Sequence, residues 1–518
     1  MPSIVYLIGA GPGDPGLITV RGLKCLASAD VVLYDHLVPP RLLAHARAGA
    51  EKIDVGVAAP QRMEQEAICY LLAEKAREDK TVARLKWGDP FVFDRGGSEA
   101  LFLHEQGVRF EVVPGVPAAI AVPCYAGVPI TYPGAGDTLT FVRGHEDEGK
   151  TRPSIDWTCL ARLDGTIVCY AGPHQLGHIL GSLLSHGRPA DDSVAVVYNG
   201  TLPSQETILG SLEELAKTAK QSDDRRPAIL VVGRVAALRE HLRWFDVKPL
   251  FGKRVLVTRP RDQAEDMVDR LESEGAEAIV APMIRIVPPQ DYGPLDDACA
   301  RAGTFDWIVF TSANAVDAFV ERLLAGPQDL RALKGVKLCA VGPRTVERLA
   351  RAGLKVDLMP AEYRAEAVLR ALTEAGEVRG RTVLLPHADI GREIIADELR
   401  KQGADVTDVV AYRTVAEDPE REGGPDVYRM LLERSIDVVT FTSASAVRSF
   451  VRVLGAEPAA DLLRGTVVAS IGPLTAEAAS QCNVATTIMP AEYTIPALVG
   501  AIVQYFETEK SLGVNVNA

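Results

Sequence analysis

Val5-Tyr6-Leu7-Ile8-Gly9-Ala10-Gly11-Pro12-Gly13-Asp14-Pro15 is the stretch whose reading decides the fold. Four apolar residues without a charge predict a buried strand, and the glycines after them let the backbone turn where a side chain would clash. Open α/β sheets hold ligands beyond the carboxyl ends of their strands, so the turn is a candidate site wall; a tight turn that binds nothing is the other reading. A dinucleotide fingerprint fits poorly, and a nicotinamide oxidoreductase is a distant alternative. The third glycine comes too early for G-x-G-x-x-G, Pro12 lacks an N–H for a phosphate cradle, and Asp14 repels an anion.

Working outward, Leu17, Val20, Leu23, Leu26 and Ala27 form a helical stripe, and Ala29 to Tyr34 read as a second strand ending at Asp35. A strand-end aspartate is either a cap or turn former or a catalytic group. Val82 to Lys86 predict a further strand, followed by Trp87-Gly88-Asp89-Pro90 and Asp94-Arg95-Gly96-Gly97, more turn residues than chain reversal needs. Glu111 to Val113 repeat the plan before Pro114-Gly115-Val116-Pro117-Ala118. The uncharged run from Val112 to Thr131 has the length of a membrane span, but four prolines break it, so a loop and helix are expected.

A second, strand-rich portion follows, with strands at Thr138–Val142, Gly165–Tyr170, Ser193–Tyr198 and Ala228–Val232, each running into a glycine. His145-Glu146 could serve as an acid/base pair, but a lone pair in a loop is more often structural. The charged segment Lys217 to Arg226 reads as a solvated loop. Leu238 to Gly252 show no sustained period, which sets a domain boundary near residue 248.

The ordered set Gly9–Pro15, Tyr34-Asp35-His36-Leu37-Val38, Gly88–Phe93 with Arg95-Gly96-Gly97, Val113-Pro114-Gly115 and Phe141–Glu146 resembles uroporphyrinogen-III C-methyltransferase, of the tetrapyrrole methylase family. The resemblance covers roughly residues 3 to 240. It implies two α/β domains with S-adenosylmethionine in the cleft between them, a homodimer through this half, and transfer of two methyl groups to uroporphyrinogen III, giving precorrin-2. It also implies that Asp35 is the proton acceptor. Pro12, Trp87, Gly88, Asp89, Val92, Pro117, Ala118, Ala171 and Gly200 fall at its cofactor-contacting positions. The sequence departs from the family pattern at Trp87, Asp94 and Ala171, at Pro117 in place of a hydroxyl residue, at Tyr132-Pro133, and at Val57 where the family has a proton-donating lysine. Trp87 either stacks on the adenine or fills the pocket.

From Gly252 the chain repeats itself. Gly252–Val257 returns as Gly380–Leu385, Asp306–Ala313 as Asp437–Ala444, Val341-Gly342-Pro343 as Ile471-Gly472-Pro473, and Met359–Tyr363 as Met489–Tyr493. A period of about 130 residues is domain-sized, so two duplicated α/β lobes with a cleft between them are expected. Thr311-Ser312 and Thr442-Ser443 stand between a strand and an amphipathic helix, with Thr345 and Thr475 after the Gly-Pro turns. They are plain N-caps on one reading, and helix N-termini converging on an anion on the other.

Residues 250 to 505 resemble uroporphyrinogen-III synthase, which closes the open-chain hydroxymethylbilane and inverts its last ring. The resemblance implies that Tyr412 helps expel the terminal hydroxyl, that Ser312, Ser443, Thr345 and Thr475 face substrate, and that Arg259 and Arg392 pair with its carboxylates.

At 518 residues the chain exceeds one core; 47% hydrophobic and 24% charged residues are ordinary for a globular protein. A net charge of -13 argues against nucleic acid, and eight scattered cysteines without a C-x-x-C argue against a metal site and for buried thiols in a reducing compartment. No secretory signal is read at the start, so a cytoplasmic protein with neither membrane nor nucleic-acid partners is expected.

The expectation is therefore α/β throughout: a two-domain tetrapyrrole methylase fold over residues 1–247, then a bilobal uroporphyrinogen-III synthase fold over 248–509 with its second lobe at about 286–378, and a flexible tail at 510–518. The implied protein is bifunctional, serving sirohaem or cobalamin formation with hydroxymethylbilane and uroporphyrinogen III as its small-molecule partners. The rival reading keeps the synthase and makes the first half a degenerate methylase that binds tetrapyrroles or dimerises.

Overall fold

The computed structural model describes residues 3–56, 63–144, 155–172, 174–221, 226–360, 365–374, 378–389, 394–420 and 424–511. Its contacts divide the chain into two units, Met1–Lys253 with Leu271–Glu277, and Arg254–Arg270 with Ala278–Ala518. No helix among the described residues is long and apolar enough to cross a membrane.

The first unit opens with β1 (Ile4–Gly9), β2 (Val31–Tyr34), β3 (Glu51–Asp54), β4 (Thr81–Lys86) and β5 (Phe110–Val113). They form one parallel sheet in the order β3-β2-β4-β1-β5. Val5, Leu7, Ile8 and Val31 to Leu33 are fully buried, as continuous apolar runs are when helices cover both faces of a parallel sheet. Because the chain crosses to the far side of β1 only at β5, the turns after β1, β4 and β5 gather at one carboxyl edge.

The second sheet contains β6 (Leu139–Arg143), β7 (Thr166–Ala171), β8 (Ser193–Tyr198), β9 (Glu206–Ser211) and β10 (Ala228–Val232), in the order β6-β7-β10-β8-β9. Only β6 and β7 pair in parallel there. Alternate residues of β7 feed two cores: Ile167, Cys169 and Ala171 pack on one face, Val168 and Tyr170 on the other. The proline-rich run contains the helix Ala118–Tyr125, as expected of a loop and helix.

One expectation in this unit is corrected. The segment Lys217 to Arg226 is no loop at its start, since a helix spans Leu212–Gln221 and residues 222–225 lie outside the described ones. Leu212, Leu215 and Ala216 bury its inner face at helical spacing, and Lys217 pairs with Glu213 at 2.7 Å on the outer one. The aperiodic junction folds back on the proline-rich helix: Tyr125 meets Trp244 and Phe245 edge-on at 5.1 and 4.8 Å, and the Trp244 indole donates to the Cys124 carbonyl at 2.9 Å.

The second unit holds β11 (Arg254–Val257), β12 (Glu277–Val280), β13 (Ile284–Val287), β14 (Trp307–Phe310), β15 (Lys337–Ala340), β16 (Thr382–Ala388), β17 (Asp405–Ala416), β18 (Val438–Phe441) and β19 (Val467–Ser470). One lobe carries the sheet β12-β11-β18-β19, the other β13-β17-β16-β14-β15. The chain enters the second lobe at β13 and leaves it along β17, which pair antiparallel. The second lobe therefore runs on past residue 378, the end expected from the repeat, to include β16 and β17. The final helix, Ile495–Ser511, also carries order past residue 509, where a flexible tail was expected; 512–518 lie outside the described residues.

Candidate active sites

In the first unit three turns meet backbone to backbone. A Cβ on Gly9 would lie 2.5 Å from the Gly115 Cα, and one on Gly115 would lie 2.2 Å from the Gly88 carbonyl oxygen. Gly11 and Gly88 exchange backbone hydrogen bonds of 3.2 and 2.9 Å, and Gly88 sits at φ +70°, a conformation open to glycine. A Cβ at Gly88 would meet only the Ala118 amide nitrogen, at 3.9 Å, so the turn borders open space beside a helix N-terminus. Asp89 locks the turns: its carboxylate accepts the Phe91 amide at 2.8 Å and the Gly115 amide at 3.0 Å.

Of the residues marked from sequence, Pro12, Gly88 and Ala118 are buried in this gathering of loops, while Asp89 and Val92 are half-buried. Trp87 is anchored: its indole N–H donates to the Pro12 carbonyl at 2.9 Å and its ring packs on the core around Ala118, as does Val92. Pro117 caps the helix Ala118–Tyr125 without a side-chain bond. Ala171 ends β7, buried, and Gly200 abuts the same helix, where a Cβ would fall 2.3 Å from a Val122 methyl. Val57, His145 and Glu146 lie outside the described residues.

Asp35 stands at the carboxyl end of β2 over a buried charge network that sequence reading missed. Arg84, on β4, donates to the Asp35 carboxylate at 2.5 Å and to Glu99 at 3.2 Å; Lys86 reaches Glu99 at 3.1 Å and Asp94 at 3.3 Å. Arg84, Lys86 and Glu99 are at most 2% exposed, so each charge depends on its partners. Burial alone would raise the Asp35 carboxyl, but the Arg84 and Lys86 charges and the Arg84 hydrogen bond hold it below its ordinary value. The available signal was two cations, Arg84 and Lys86, on one face of an otherwise apolar strand.

A second unforeseen feature is a closed ring of hydrogen bonds that ties the first turn to the second sheet. The Asp14 amide donates to the Thr201 hydroxyl at 3.0 Å, Tyr125 donates to the Asp14 carboxylate at 2.6 Å, the Gln205 amide donates to the Tyr125 carbonyl at 3.3 Å, and the Thr201 amide donates to Gln205 at 2.9 Å. Asn199 and Thr201 hold positive φ in this turn, backbone strain that such a ring offsets.

In the second unit, Tyr412 on β17 is 9% exposed, and its hydroxyl is bonded by Ser312, at 3.0 Å, and by Asn314. Burial raises its pKa, against the lowering effect of those two bonds. Ser312 and Ser443 are N-caps in fact, accepting the Ala315 and Ala446 amides at 3.1 Å each. Thr345 and Thr475 are buried in the first turns of Pro343–Arg351 and Pro473–Gln481, helices whose glycine caps offer no side-chain bond. Gln263, in the first turn of Arg261–Ser273, donates to Asn314, in the first turn of Ala313–Ala325, at 2.9 Å, so helix N-termini of the two lobes face each other. Arg259 follows β11 and is 2% exposed. Arg392 lies outside the described residues.

A family model described as tetrapyrrole (corrin/porphyrin) methylases matches residues 4–216, and one described as uroporphyrinogen-III synthase HemD matches residues 265–500. The porphyrin biosynthesis protein HemD of Ruminiclostridium josui is 37% identical over 93% of this chain and 94% of its own length. Uroporphyrinogen-III C-methyltransferase of Bacillus subtilis (strain 168) is 38% identical over 68% of this chain and 72% of its own. The S-adenosyl-L-methionine-dependent uroporphyrinogen III methyltransferase of Methanosarcina barkeri (strain Fusaro / DSM 804) is 44% identical over 46% of this chain and 94% of its own.

Proposed function

The chain belongs to the family of the porphyrin biosynthesis protein HemD, with a tetrapyrrole methylase segment and a uroporphyrinogen-III synthase segment in one polypeptide, and from that premise we infer that it carries out two consecutive reactions. It is a uroporphyrinogen-III synthase and an S-adenosylmethionine-dependent uroporphyrinogen-III C-methyltransferase of tetrapyrrole biosynthesis. The finer reading is that hydroxymethylbilane is closed to uroporphyrinogen III by the second half, and that the first half methylates this product twice to precorrin-2 for sirohaem or cobalamin, as a homodimer through the methylase half. The observation that carries it is that a tetrapyrrole methylase model and a uroporphyrinogen-III synthase model match one polypeptide, which this reading takes as two consecutive steps.

The glycine gathering fits S-adenosylmethionine. Turns at Gly9, Gly88 and Gly115 pack without Cβ atoms and leave room beside the Ala118 N–H, and the bound group supplies an electrophilic sulfonium methyl. An electron-rich pyrrole carbon needs alignment and exclusion of water more than covalent help, which close-packed backbone walls give. Asp35, kept ionised by Arg84 and Lys86, accepts the proton that the methylated macrocycle releases. In the other half, Tyr412 assists departure of the terminal hydroxyl, with Ser312 and Asn314 holding its oxygen in place.

Uroporphyrinogen III supplied anaerobically with methyl-labelled S-adenosylmethionine tests the methylase half. Two labelled methyl groups per macrocycle are expected; recovery of unlabelled uroporphyrinogen III would leave that half a binding or dimerising module.

A further inference from the structure

The loop between Gly88 and the helix Gly96–Glu105 is held under strain. Phe93 adopts φ +53°, a conformation rare for a bulky side chain, and its ring meets Tyr170 edge-on at 5.3 Å. The next residue, Asp94, is turned back onto β4, where one carboxylate oxygen lies 3.3 Å from the Lys86 ammonium and accepts the Arg95 amide at 2.6 Å. Asp94 is also a position at which the chain departs from the methylase pattern, so the resemblance attaches no role to it.

The Lys86 contact makes Asp94 the far end of a row of alternating charges. Asp35 meets Arg84 at 2.5 Å, Arg84 meets Glu99 at 3.2 Å, Glu99 meets Lys86 at 3.1 Å, and Lys86 meets Asp94. Three carboxylates share two cations, so the row carries one negative charge in excess. The shortage shows at its centre: one Glu99 oxygen takes Arg84, Lys86 and Gln65, while the other is buried without a hydrogen-bond partner. A buried row short of positive charge favours uptake of a proton. Glu99 is fully buried, which leaves the two ends, Asp35 and Asp94, whose side chains are 27% and 26% exposed.

We propose that Asp94 is a positioning residue for methyl transfer: by engaging Lys86 it loosens, through Glu99 and Arg84, the grip on Asp35 and leaves that carboxylate able to take a proton. In each transfer the pyrrole carbon bonds the methyl carbon as the S–CH3 bond breaks, its electron pair staying on sulfur. The alkylated ring then loses one proton from carbon, which passes to Asp35 and, once the product leaves, to water. With Asp94 in place that proton takes the row from one negative charge to none. Without Asp94, Lys86 belongs to Glu99 and Arg84 to Asp35, the row is already neutral, and the same proton leaves a buried positive charge. A carboxylate held so firmly is ionised but a poor base. The directions of titration agree: burial raises Asp94, against Lys86 and the Arg95 amide, with the Asp35 and Glu99 charges adding to the rise, and Arg84 feels the Asp94 charge in turn. Asp35 itself faces Arg84, Lys86 and the Trp87 amide. This rests on the methylase reading above and adds the residue that keeps its proton acceptor basic.

The test uses the full chain and follows methylation of supplied uroporphyrinogen III against pH, with ring closure of hydroxymethylbilane as a check that the chain is folded. Asp94→Asn is expected to lower kcat for methylation by about three- to tenfold with KM for both substrates unchanged. Its acid limb is expected to move to lower pH, because Asp35 accepts a proton only when ionised and the variant holds it at a still lower value. A slower enzyme that tolerates more acid is a signature that a merely loosened structure does not give. Asp94→Ser is expected to repeat both shifts, and Asp94→Glu to restore the wild-type profile. Unchanged kcat in Asp94→Asn and Asp94→Ser, a change in KM alone, or an acid limb that stays or moves up overturns the role of Asp94 and leaves the methylase reading standing. A wild-type chain that transfers no methyl group overturns both.

Discussion

Arg84 illustrates how a residue far from any reacting atom can set the chemistry of one that is near. Replacing it with methionine takes away the ion-pair partner of Asp35, which keeps only the field of Lys86, and leaves Lys86 as the one cation described on Glu99. Breaking a buried pair costs about 3 to 5 kcal/mol, and the surviving Lys86 contact places the expected loss of stability near the lower figure, measured by urea unfolding. The pH effect has a definite sign. Asp35 titrates below its ordinary value, so its stabilising contribution is complete above the usual carboxylate pKa of about 3.9 and fades as pH falls through its lower folded value. Methyl transfer in Arg84→Met should therefore lose activity at a higher pH than wild type on the acid side. Asp35 itself was legible in the sequence, because a carboxylate at the end of an apolar strand stands where α/β sheets keep their sites. Its partners were not, since Arg84 is 49 residues away and Glu99 a further 15 beyond Arg84, and nothing in the local pattern announces such a pairing.

Among the elements, the buried strands and the duplicated helices could be read from the sequence, whereas β3 and β9 could not. Both lie at sheet edges, and Glu51-Lys52 in β3 and the mostly exposed face of β9 hide the apolar pattern that marks a strand. The repeat was seen but its meaning was only half visible. Each copy gives its opening strands to one lobe and its later strands to the other: β11 and β12 join β18 and β19, while β16 and β17 join β14 and β15. A sequence period marks what was duplicated and not which strands pair, so the lobe boundary fell in the wrong place. The ring through Asp14, Tyr125, Gln205 and Thr201 also joins elements distant in sequence, and it fixes the first glycine turn against the proline-rich helix. Tyr125→Phe removes the bond to a carboxylate, about 1.5 to 3 kcal/mol of local restraint. The expected result is S-adenosylmethionine affinity weakened by about tenfold in calorimetry, since about 1.4 kcal/mol is one decade; an unchanged affinity would show that the ring does not hold the cofactor turn.

Over the whole molecule, a net charge of -13 meets a substrate that is itself a polyacid. The two are compatible because charges farther apart than about 8 Å are screened at physiological ionic strength. What joins the two halves in the proposed function is chemical succession: one segment would make the macrocycle that the other alkylates. The most direct measurement is an anaerobic incubation of the purified chain with hydroxymethylbilane and methyl-labelled S-adenosylmethionine, with every tetrapyrrole identified and its label counted. The prediction is a ring-inverted macrocycle bearing two labelled methyl groups, and uroporphyrinogen III when the methyl donor is withheld. Closure without inversion of the last ring, or an inverted ring that carries no label, would contradict it.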